Sequence, residues 1–109
     1  LNQVYIGSVF FNFDKYEIDP TFGATLANAK KVLDLNPNLK LKLVGYTDTK
    51  GNDAYNQELA KKRADQVSDY IKSQISMPND RFIVTGNGES KETFDDAINR
   101  RVDIYISVE

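Results

Sequence analysis

The chain has 109 residues with a formal net charge of −2, and it contains neither cysteine nor histidine. The length suits one domain with one core, and 40% hydrophobic and 28% charged residues are ordinary for a globular protein. The lack of thiols and imidazoles excludes disulfides, zinc-thiolate sites and histidine-dependent catalysis. No apolar run approaches the roughly 18 residues of a membrane span, and the weakly acidic balance argues against a nucleic-acid partner.

The first half of the chain predicts a strand, a helix and a second strand. Val4–Phe13 is rich in β-branched and aromatic residues, which favour a strand. Asp19 and Pro20 are residue types preferred at a helix N-cap and at the first helical position. The Asn-Pro-Asn sequence of residues 36–38 ends that helix, and Leu39–Thr47 begins with the alternation of a half-buried strand. The helix repeats its apolar residues at helical spacing: Phe22, Leu26, Ala29 and Leu33.

The second half predicts a long helix followed by two strands. The helix covers Asp53–Gln74, and a third strand covers Arg81–Thr85. The Gly-Asn-Gly sequence of residues 86–88 ends this strand in the prediction. Glu89–Ile98 is polar and compatible with a short helical turn. The last strand, Arg101–Val108, places alternate apolar residues on one face.

This βαβαββ order determines the expected fold class. Two helices of this length can cover only one face of a four-stranded sheet. We therefore expect an α+β fold, a two-layer α/β sandwich whose mixed sheet carries both main helices on one face, with right-handed strand–helix–strand crossovers. Residues 1–109 then form a single domain. Because the chain begins with Leu1 rather than Met, we expect it to be the C-terminal part of a longer protein, with any membrane attachment outside this sequence.

The second helix carries one charge away from its polar face. Arg63 lies about 60° from the centre of the apolar stripe, beside Asn56, where a helix side chain borders the core. Because an unpaired desolvated charge is costly, a guanidinium at this position requires a partner or a ligand. The apolar stripe consists of Ala60, Ala64, Val67 and Ile71. Six other charged residues lie on the opposite side: Glu58, Lys61, Lys62, Asp65, Asp69 and Lys72.

Asp48 is the predicted counterpart of Arg63, at the point where the second strand enters the polar turn of residues 48–52. A turn of this length can extend outward by roughly 17 Å, and ten helical residues return about 15 Å, so the two side chains can reach the same height. A carboxylate and a guanidinium that are close but unpaired suit a zwitterion, since the first takes an ammonium and the second a carboxylate. The alternatives are an Asx-turn at Asp48, an Arg63 that reaches water, or a salt bridge between the two residues.

Other polar residues are candidates for the same site. Asn56 either hydrogen-bonds a ligand amide or satisfies donors at the helix end. Asp14 either lines the same end of the sheet or serves a turn. Of Arg100 and Arg101, one should be solvated and the other partly covered, and the one on the site side would add a contact to a carboxylate. Asp19 is assigned to helix capping.

The sequence does not support a metal site or a phosphate-binding loop. Residues 48–53 match a calcium loop only in part, because Lys50 takes a required ligand position and no glutamate follows at the right distance. The Gly-Asn-Gly sequence lacks the further glycines and the lysine of a phosphate-binding loop. We therefore expect no metal and no cofactor.

Four segments of the chain resemble one known family. They are VFFNFDKYEI, GYTDTKGNDAYNQELAKKRADQVSDYI, GNGES and NRRVDI. With them, the chain from Val9 to Val108 resembles the OmpA-like domain, the peptidoglycan-binding module at the C-terminus of outer-membrane protein A. The same module occurs in peptidoglycan-associated lipoproteins and flagellar stator proteins. The chain departs from the family pattern at Ala60, where a small hydroxyl residue is usual, and at Tyr46, where histidine is common and tyrosine is also familiar.

The resemblance implies ligand contacts for six residues. Asp48 resembles the residue that holds the amino group of diaminopimelate in the peptide stem, and Arg63 resembles the residue that holds its carboxylate. Further contacts are implied for Asn56, Thr47, Asp14 and Arg100.

The favoured hypothesis is a binding module and not an enzyme. It would anchor the outer membrane to the cell wall by binding peptidoglycan through the diaminopimelate-containing stem peptide. The resemblance implies a periplasmic domain of an outer-membrane protein or lipoprotein in a Gram-negative bacterium. Two alternatives are a protein–protein interaction module of the cell envelope with a structural Arg63, and a carboxylate-dependent wall hydrolase with Asp14 and Asp48 as its acids.

Overall fold

The computed structural model describes residues 3–93 and 95–108. The strands are β1 (Gln3–Phe10), β2 (Leu39–Thr47), β3 (Phe82–Glu89) and β4 (Arg101–Val108). The helices are α1 (Gly23–Leu35), α2 (Asp53–Gln74) and the four-residue α3 (Asp96–Asn99). The ends of the predicted domain over residues 1–109, and position 94 of the predicted turn over Glu89–Ile98, lie outside the described residues.

The four strands form one sheet with the order β1-β4-β2-β3. β4 is antiparallel to both of its neighbours, and β2 is parallel to β3. Three strands therefore run in the same direction, and β1, β2 and β3 end at the same edge, where β4 begins. Across the described part of the chain, no helix has both the length and the apolar composition needed to cross a membrane.

A single hydrophobic core lies between the sheet and the two long helices. The predicted apolar stripe of α2 is fully buried, because all four of its residues have 0% exposure. The predicted α+β sandwich, with a mixed four-stranded sheet and both main helices on one face, is thereby confirmed. The core cluster consists of Val9, Phe11, Leu26, Ala29, Leu33, Leu41, Leu43, Ala64, Val67, Ile71, Phe82, Val102 and Ile104.

The first strand is shorter than predicted. β1 ends at Phe10 rather than at Phe13, because the chain then makes a turn in which the Lys15 amide donates to the Asn12 carbonyl. Asp14 adopts a φ of 57° in this turn, a left-handed conformation that aspartate tolerates better than most residues. The turn therefore breaks the strand before the apolar pattern of the sequence ends.

The first helix also begins later than predicted. Asp19 is an N-cap as expected, since its carboxylate accepts a hydrogen bond of 2.8 Å from the Thr21 amide. The residues that follow, 20–22, form a short 3₁₀ turn, and the α-helix begins only at Gly23. Asn36 caps the other end, in agreement with the predicted stop.

The third strand continues beyond its predicted end. The prediction that β3 stops at Thr85 is wrong, because the strand extends to Glu89 through the Gly-Asn-Gly sequence. Gly86 pairs in the sheet with Gly45 of β2. Gly86 is therefore a residue of the paired strand and not part of a turn.

Two paired glycines let α2 lie directly on the sheet. A Cβ atom at Gly45 would be 2.0 Å from the Ala60 carbonyl oxygen, and a Cβ atom at Gly86 would be 2.5 Å from the Lys61 amide nitrogen. Because no side chain separates them, the helix backbone contacts both strands. Since Ala60 lies at the level of Gly45, the helix residues before it extend past the end of β2 and form one wall of a space there.

We expect Gly45→Ala to lower the free energy of unfolding by about 3 kcal/mol, the upper end of the usual cost of overpacking, because the added methyl group meets helix backbone. Urea unfolding followed by circular dichroism measures this change. Gly23→Ala is the matched control, since a Cβ there has no atom within 4 Å and its φ is −57°. The control should be neutral or more stable by about 0.4–1 kcal/mol. Equal midpoints for the two variants would contradict the close helix–strand contact.

Candidate ligand-binding site

A cavity of about 180 Å³ lies at the edge where β1 and β2 end. The turn after β1, the turn after β2 and the first half of α2 form its walls. The five predicted site residues that line it are Asp14, Thr47, Asp48, Asn56 and Arg63. The sixth, Arg100, does not line this cavity and contacts Asp48 from the position immediately before β4.

Arg63 is more deeply buried than its position on the helix predicted. Its residue exposure is 0%, and its guanidinium donates to three main-chain carbonyl groups. The bonds measure 2.7 Å to Lys15, 3.0 Å to Tyr46 and 3.2 Å to Asn12. The guanidinium carbon also lies 5.3 Å from the centre of the Phe11 ring. Because a guanidinium has five N–H donors, the three carbonyl groups leave two donors for another acceptor.

In the described part of the chain, the charge of Arg63 has no direct counter-ion. Within residues 3–93 and 95–108, no carboxylate lies within 4.0 Å of its nitrogen atoms, so neither the predicted alternative of a salt bridge to Asp48 nor that of a solvated side chain describes Arg63. Burial lowers the pKa of Arg63 to about 10, while the negative charges of Asp48 and Asp14 act in the opposite direction. The group therefore remains a cation at neutral pH.

Asp48 is held by two donors that are not Arg63. Its Oδ1 accepts a 3.0 Å hydrogen bond from the Lys50 amide, which is the Asx-turn considered from the sequence. Its Oδ2 lies 3.3 Å from Nη1 of Arg100, and Asp48 is 4% exposed. Arg100 also donates 2.9 Å to the Phe11 carbonyl, so it ties Asp48 to the turn after β1. Both arginines at the start of β4 are largely covered, which corrects the expectation that one of them is solvated.

Asn56 holds the turn that follows β2. Its Nδ2 donates 2.9 Å to the Lys50 carbonyl and lies 3.4 Å from Oε1 of Glu89. The helix-end role considered for Asn56 belongs instead to Asn52, whose Oδ1 accepts a 2.8 Å hydrogen bond from the Tyr55 amide. Asn56 is therefore a buried support of the cavity wall, with 2% exposure.

Thr47 is buried at the end of β2, immediately before Asp48. Its hydroxyl donates 2.9 Å to the Asp48 carbonyl, and its own carbonyl accepts a 2.9 Å hydrogen bond from the Ser90 amide. These two bonds fix the main chain that carries the Asp48 carboxylate.

Tyr55 is a cavity residue that the sequence interpretation missed. It lies one residue before Asn56 and one helical turn before Leu59, which also lines the cavity, and this spacing was the available signal. Its hydroxyl donates to Oδ1 of Asp14 across the cavity mouth. This hydrogen bond raises the pKa of Tyr55, because it stabilises the neutral phenol. In the described part of the chain, no three carboxylates converge in a way that would hold a metal ion.

The fold and the site together define a small two-layer α/β domain that carries a cavity with separated opposite charges at the ends of parallel strands. A model of the OmpA family matches residues 10–103. The chain therefore belongs to the OmpA family, as the sequence resemblance predicted.

Among curated relatives, the chain is 33% identical over 107 residues to outer membrane porin F of Pseudomonas aeruginosa, in an alignment that covers 93% of this chain and 31% of that protein. It is 40% identical over 84 residues to outer membrane protein A of Escherichia coli O157:H7, which covers 75% of this chain and 24% of the relative. The chain thus spans less than a third of the length of these relatives.

Solved structures share the same fold. The peptidoglycan-associated lipoprotein from Burkholderia pseudomallei superposes with a TM-score of 0.83 and 28% identity, covering 92% of this chain and 89% of that chain. The cell wall anchor of the T6SS from Pseudomonas aeruginosa gives a TM-score of 0.71 with 21% identity, covering 92% of this chain and 76% of the other. At 21% sequence identity, the similarity to the cell wall anchor shows a shared fold and nothing more.

We expect Arg63→Ala to lower the free energy of unfolding by about 3 kcal/mol, roughly 1 kcal/mol for each carbonyl group that loses its donor. Differential scanning calorimetry or urea unfolding measures the change. Lys62→Ala, one residue away on the exposed side of α2, is the control and should change stability by less than about 0.5 kcal/mol. If Arg63→Ala unfolds like the control, the three hydrogen bonds do not stabilise the domain.

We expect Asp14→Ala to lower the pKa of Tyr55. The variant removes the carboxylate that accepts the hydrogen bond of the neutral phenol and whose negative charge opposes ionisation. The titration of ring-labelled tyrosines by NMR measures this shift, and a Tyr55→Phe variant assigns the resonance. Tyr105 is an internal control, since its pKa is raised mainly by burial. An unchanged Tyr55 midpoint in Asp14→Ala would contradict the hydrogen bond.

Proposed function

We propose that this domain binds peptidoglycan non-covalently through the diaminopimelate of its stem peptide and so anchors the cell envelope to the wall. The observation that carries this proposal is that Asp48 and Arg63 line one cavity with opposite charges and are paired with other groups rather than with each other. Membership of the OmpA family supports it, as does the similar solved structure described as a peptidoglycan-associated lipoprotein.

The chemistry of the ligand suits this arrangement. The free end of diaminopimelate bears an ammonium and a carboxylate on one carbon atom. Asp48 uses two of the roughly four lone-pair positions of its carboxylate, so it can accept the ammonium as well. Arg63 has two donors left for the carboxylate, and charge-assisted bonds of this kind are about twice as strong as neutral ones. Arg63 lines the cavity but is 0% exposed, so a ligand carboxylate reaches its guanidinium only after the side chains that cover it have shifted.

We propose binding without turnover, in the periplasm of a Gram-negative bacterium, as part of an outer-membrane protein or lipoprotein such as those among its relatives. The cavity is small, and each contact competes with water, so a single site should bind with modest affinity. Many copies attached to one wall would raise the effective strength without any new contact.

We expect Asp48→Asn to weaken binding of free diaminopimelate by roughly 10–100-fold, because a hydrogen bond to a charged group contributes about 1.5–3 kcal/mol. Calorimetry with meso-diaminopimelate and co-sedimentation with purified peptidoglycan measure the loss. Asp69→Asn, an exposed carboxylate on the outer side of α2, is the matched control and should bind like the unaltered protein.

Three results would contradict the proposal in different ways. Binding by Asp48→Asn equal to that of the control would remove Asp48 from the site. Release of soluble fragments from the wall, abolished by Asp48→Asn, would indicate the hydrolase. No heat with diaminopimelate, together with retention of an envelope protein, would favour the protein-interaction module.

A further inference from the structure

A second buried arginine, Arg101, lies on the face of the sheet opposite the two long helices, α1 and α2. Arg100 immediately precedes β4 and Arg101 is its first residue, and the contacts of the two side chains lie on different sides of the sheet. Arg100 contacts Asp48 on the cavity side, whereas Arg101 packs beside β2 on the other side. Arg101 is 6% exposed although it does not line the cavity that contains Asp48 and Arg63.

Arg101 contacts the side chains of two residues, Tyr46 and Ser90, whose main chains form hydrogen bonds next to the site. Its guanidinium carbon lies 4.4 Å from the centre of the Tyr46 ring, and the Tyr46 carbonyl accepts the hydrogen bond from Arg63. Its Nη1 donates 3.2 Å to Oγ of Ser90, and the Ser90 amide donates to the Thr47 carbonyl. One side chain therefore contacts Tyr46 directly and Thr47 through Ser90, on the face of the sheet opposite α2.

Arg101 is itself held in one orientation. Its Nε donates 2.9 Å to Oδ1 of Asp103, which is 7% exposed and also accepts a 2.7 Å hydrogen bond from Ser8. Its Nη2 lies 3.2 Å from Oε2 of Glu92. Buried ion pairs often add little net stability, because desolvation offsets their attraction. An orienting role accounts better for this group of contacts than a gain in stability does.

We infer that Arg101 is a positioning residue for the ligand site: it sets the orientation of the Tyr46–Asp48 segment, and thereby the spacing of the Asp48 carboxylate and the Arg63 guanidinium. The inference rests on the proposed function, because the ligand it serves is the diaminopimelate proposed above. Arg101 does not touch that ligand, and it acts through Tyr46 and Ser90.

The test is Arg101→Lys, which keeps the charge but loses the planar fork and most of the stacking on Tyr46. We expect the affinity for free meso-diaminopimelate to fall about tenfold, the scale on which loss of an outer partner weakens a metal site. Arg81→Lys is the matched control. Arg81 is likewise held by several hydrogen bonds, which it donates to the main-chain carbonyls of Leu39, Leu33 and Asn36 at the opposite edge of the sheet. This control should lose thermal stability and keep its affinity within about twofold.

A second measurement separates positioning from general loss of structure. Amide hydrogen exchange at Ser90 reports the bond to Thr47, and exchange at Ile104 reports the core. In Arg101→Lys, Ser90 should exchange faster relative to Ile104, whereas Arg81→Lys should keep the ratio of the wild type. Tyr46→Leu, which removes the stacking partner and keeps the carbonyl that Arg63 uses, should reproduce the loss of affinity if the lysine variant does not fold.

The outcomes distinguish the two proposals. Three results would overturn the positioning role and leave the proposed function intact. They are an unchanged affinity in Arg101→Lys, an equal loss of affinity in Arg81→Lys, and exchange rates at Ser90 and Ile104 that change in parallel in Arg101→Lys. No heat from the wild-type protein with diaminopimelate would overturn the proposed function. The ratio of the exchange rates at Ser90 and Ile104 is measured without ligand, so it tests the contribution of Arg101 to the geometry of the site in that case as well.

Discussion

The site depends on one constraint, the burial of the Arg63 guanidinium, which has no carboxylate partner among the residues that the structure describes. A desolvated cation is costly, and here the cost is reduced by three carbonyl dipoles and by the field of the nearby acids. The three carbonyl groups belong to the turn after β1 and to the end of β2, while Arg63 itself belongs to α2. One side chain therefore joins three separate segments and also supplies the positive charge of the cavity. Stability and the proposed recognition cannot be separated at this residue.

The position of the cavity follows from the sheet. Because β1, β2 and β3 end at one edge and β4 begins there, three connections meet in a small volume: those that follow β1, β2 and β3. Polar turn residues are frequent at strand ends, so this edge collects carboxylates and amides without a cost to the core. The contact of Gly45 with Ala60 then fixes how far α2 reaches beyond the sheet. That reach places the early residues of the helix opposite the two turns.

Local patterns in the sequence predict the elements well, and they predict the depth of the site poorly. The stripe of α2, the cap at Asp19 and the alternation in β4 depend on neighbours along the chain, so periodicity and residue type suffice. The continuation of β3 through Gly86 and the early end of β1 depend on contacts with other elements, which no local pattern contains. The grouping of five of the six predicted site residues around one cavity agrees with the family resemblance and with the height argument for the turn and helix. The complete burial of Arg63 and its three carbonyl partners required the tertiary structure.

The separation of the two charges is maintained by their other partners. The Asp48 carboxylate contacts a main-chain amide and Arg100, and the Arg63 guanidinium donates to carbonyl groups. Because each charged group already has polar partners, the two need not form a salt bridge with each other. If the two charges were free to pair, a zwitterion would first have to break their salt bridge, and most of its binding energy would be spent on that exchange. A ligand with only an ammonium or only a carboxylate satisfies one side of the cavity and leaves the other as it was. In the proposed binding mode, selectivity for a head group with both charges follows from the spacing of Asp48 and Arg63, so the groups that set this spacing matter as much as the two that carry the charges.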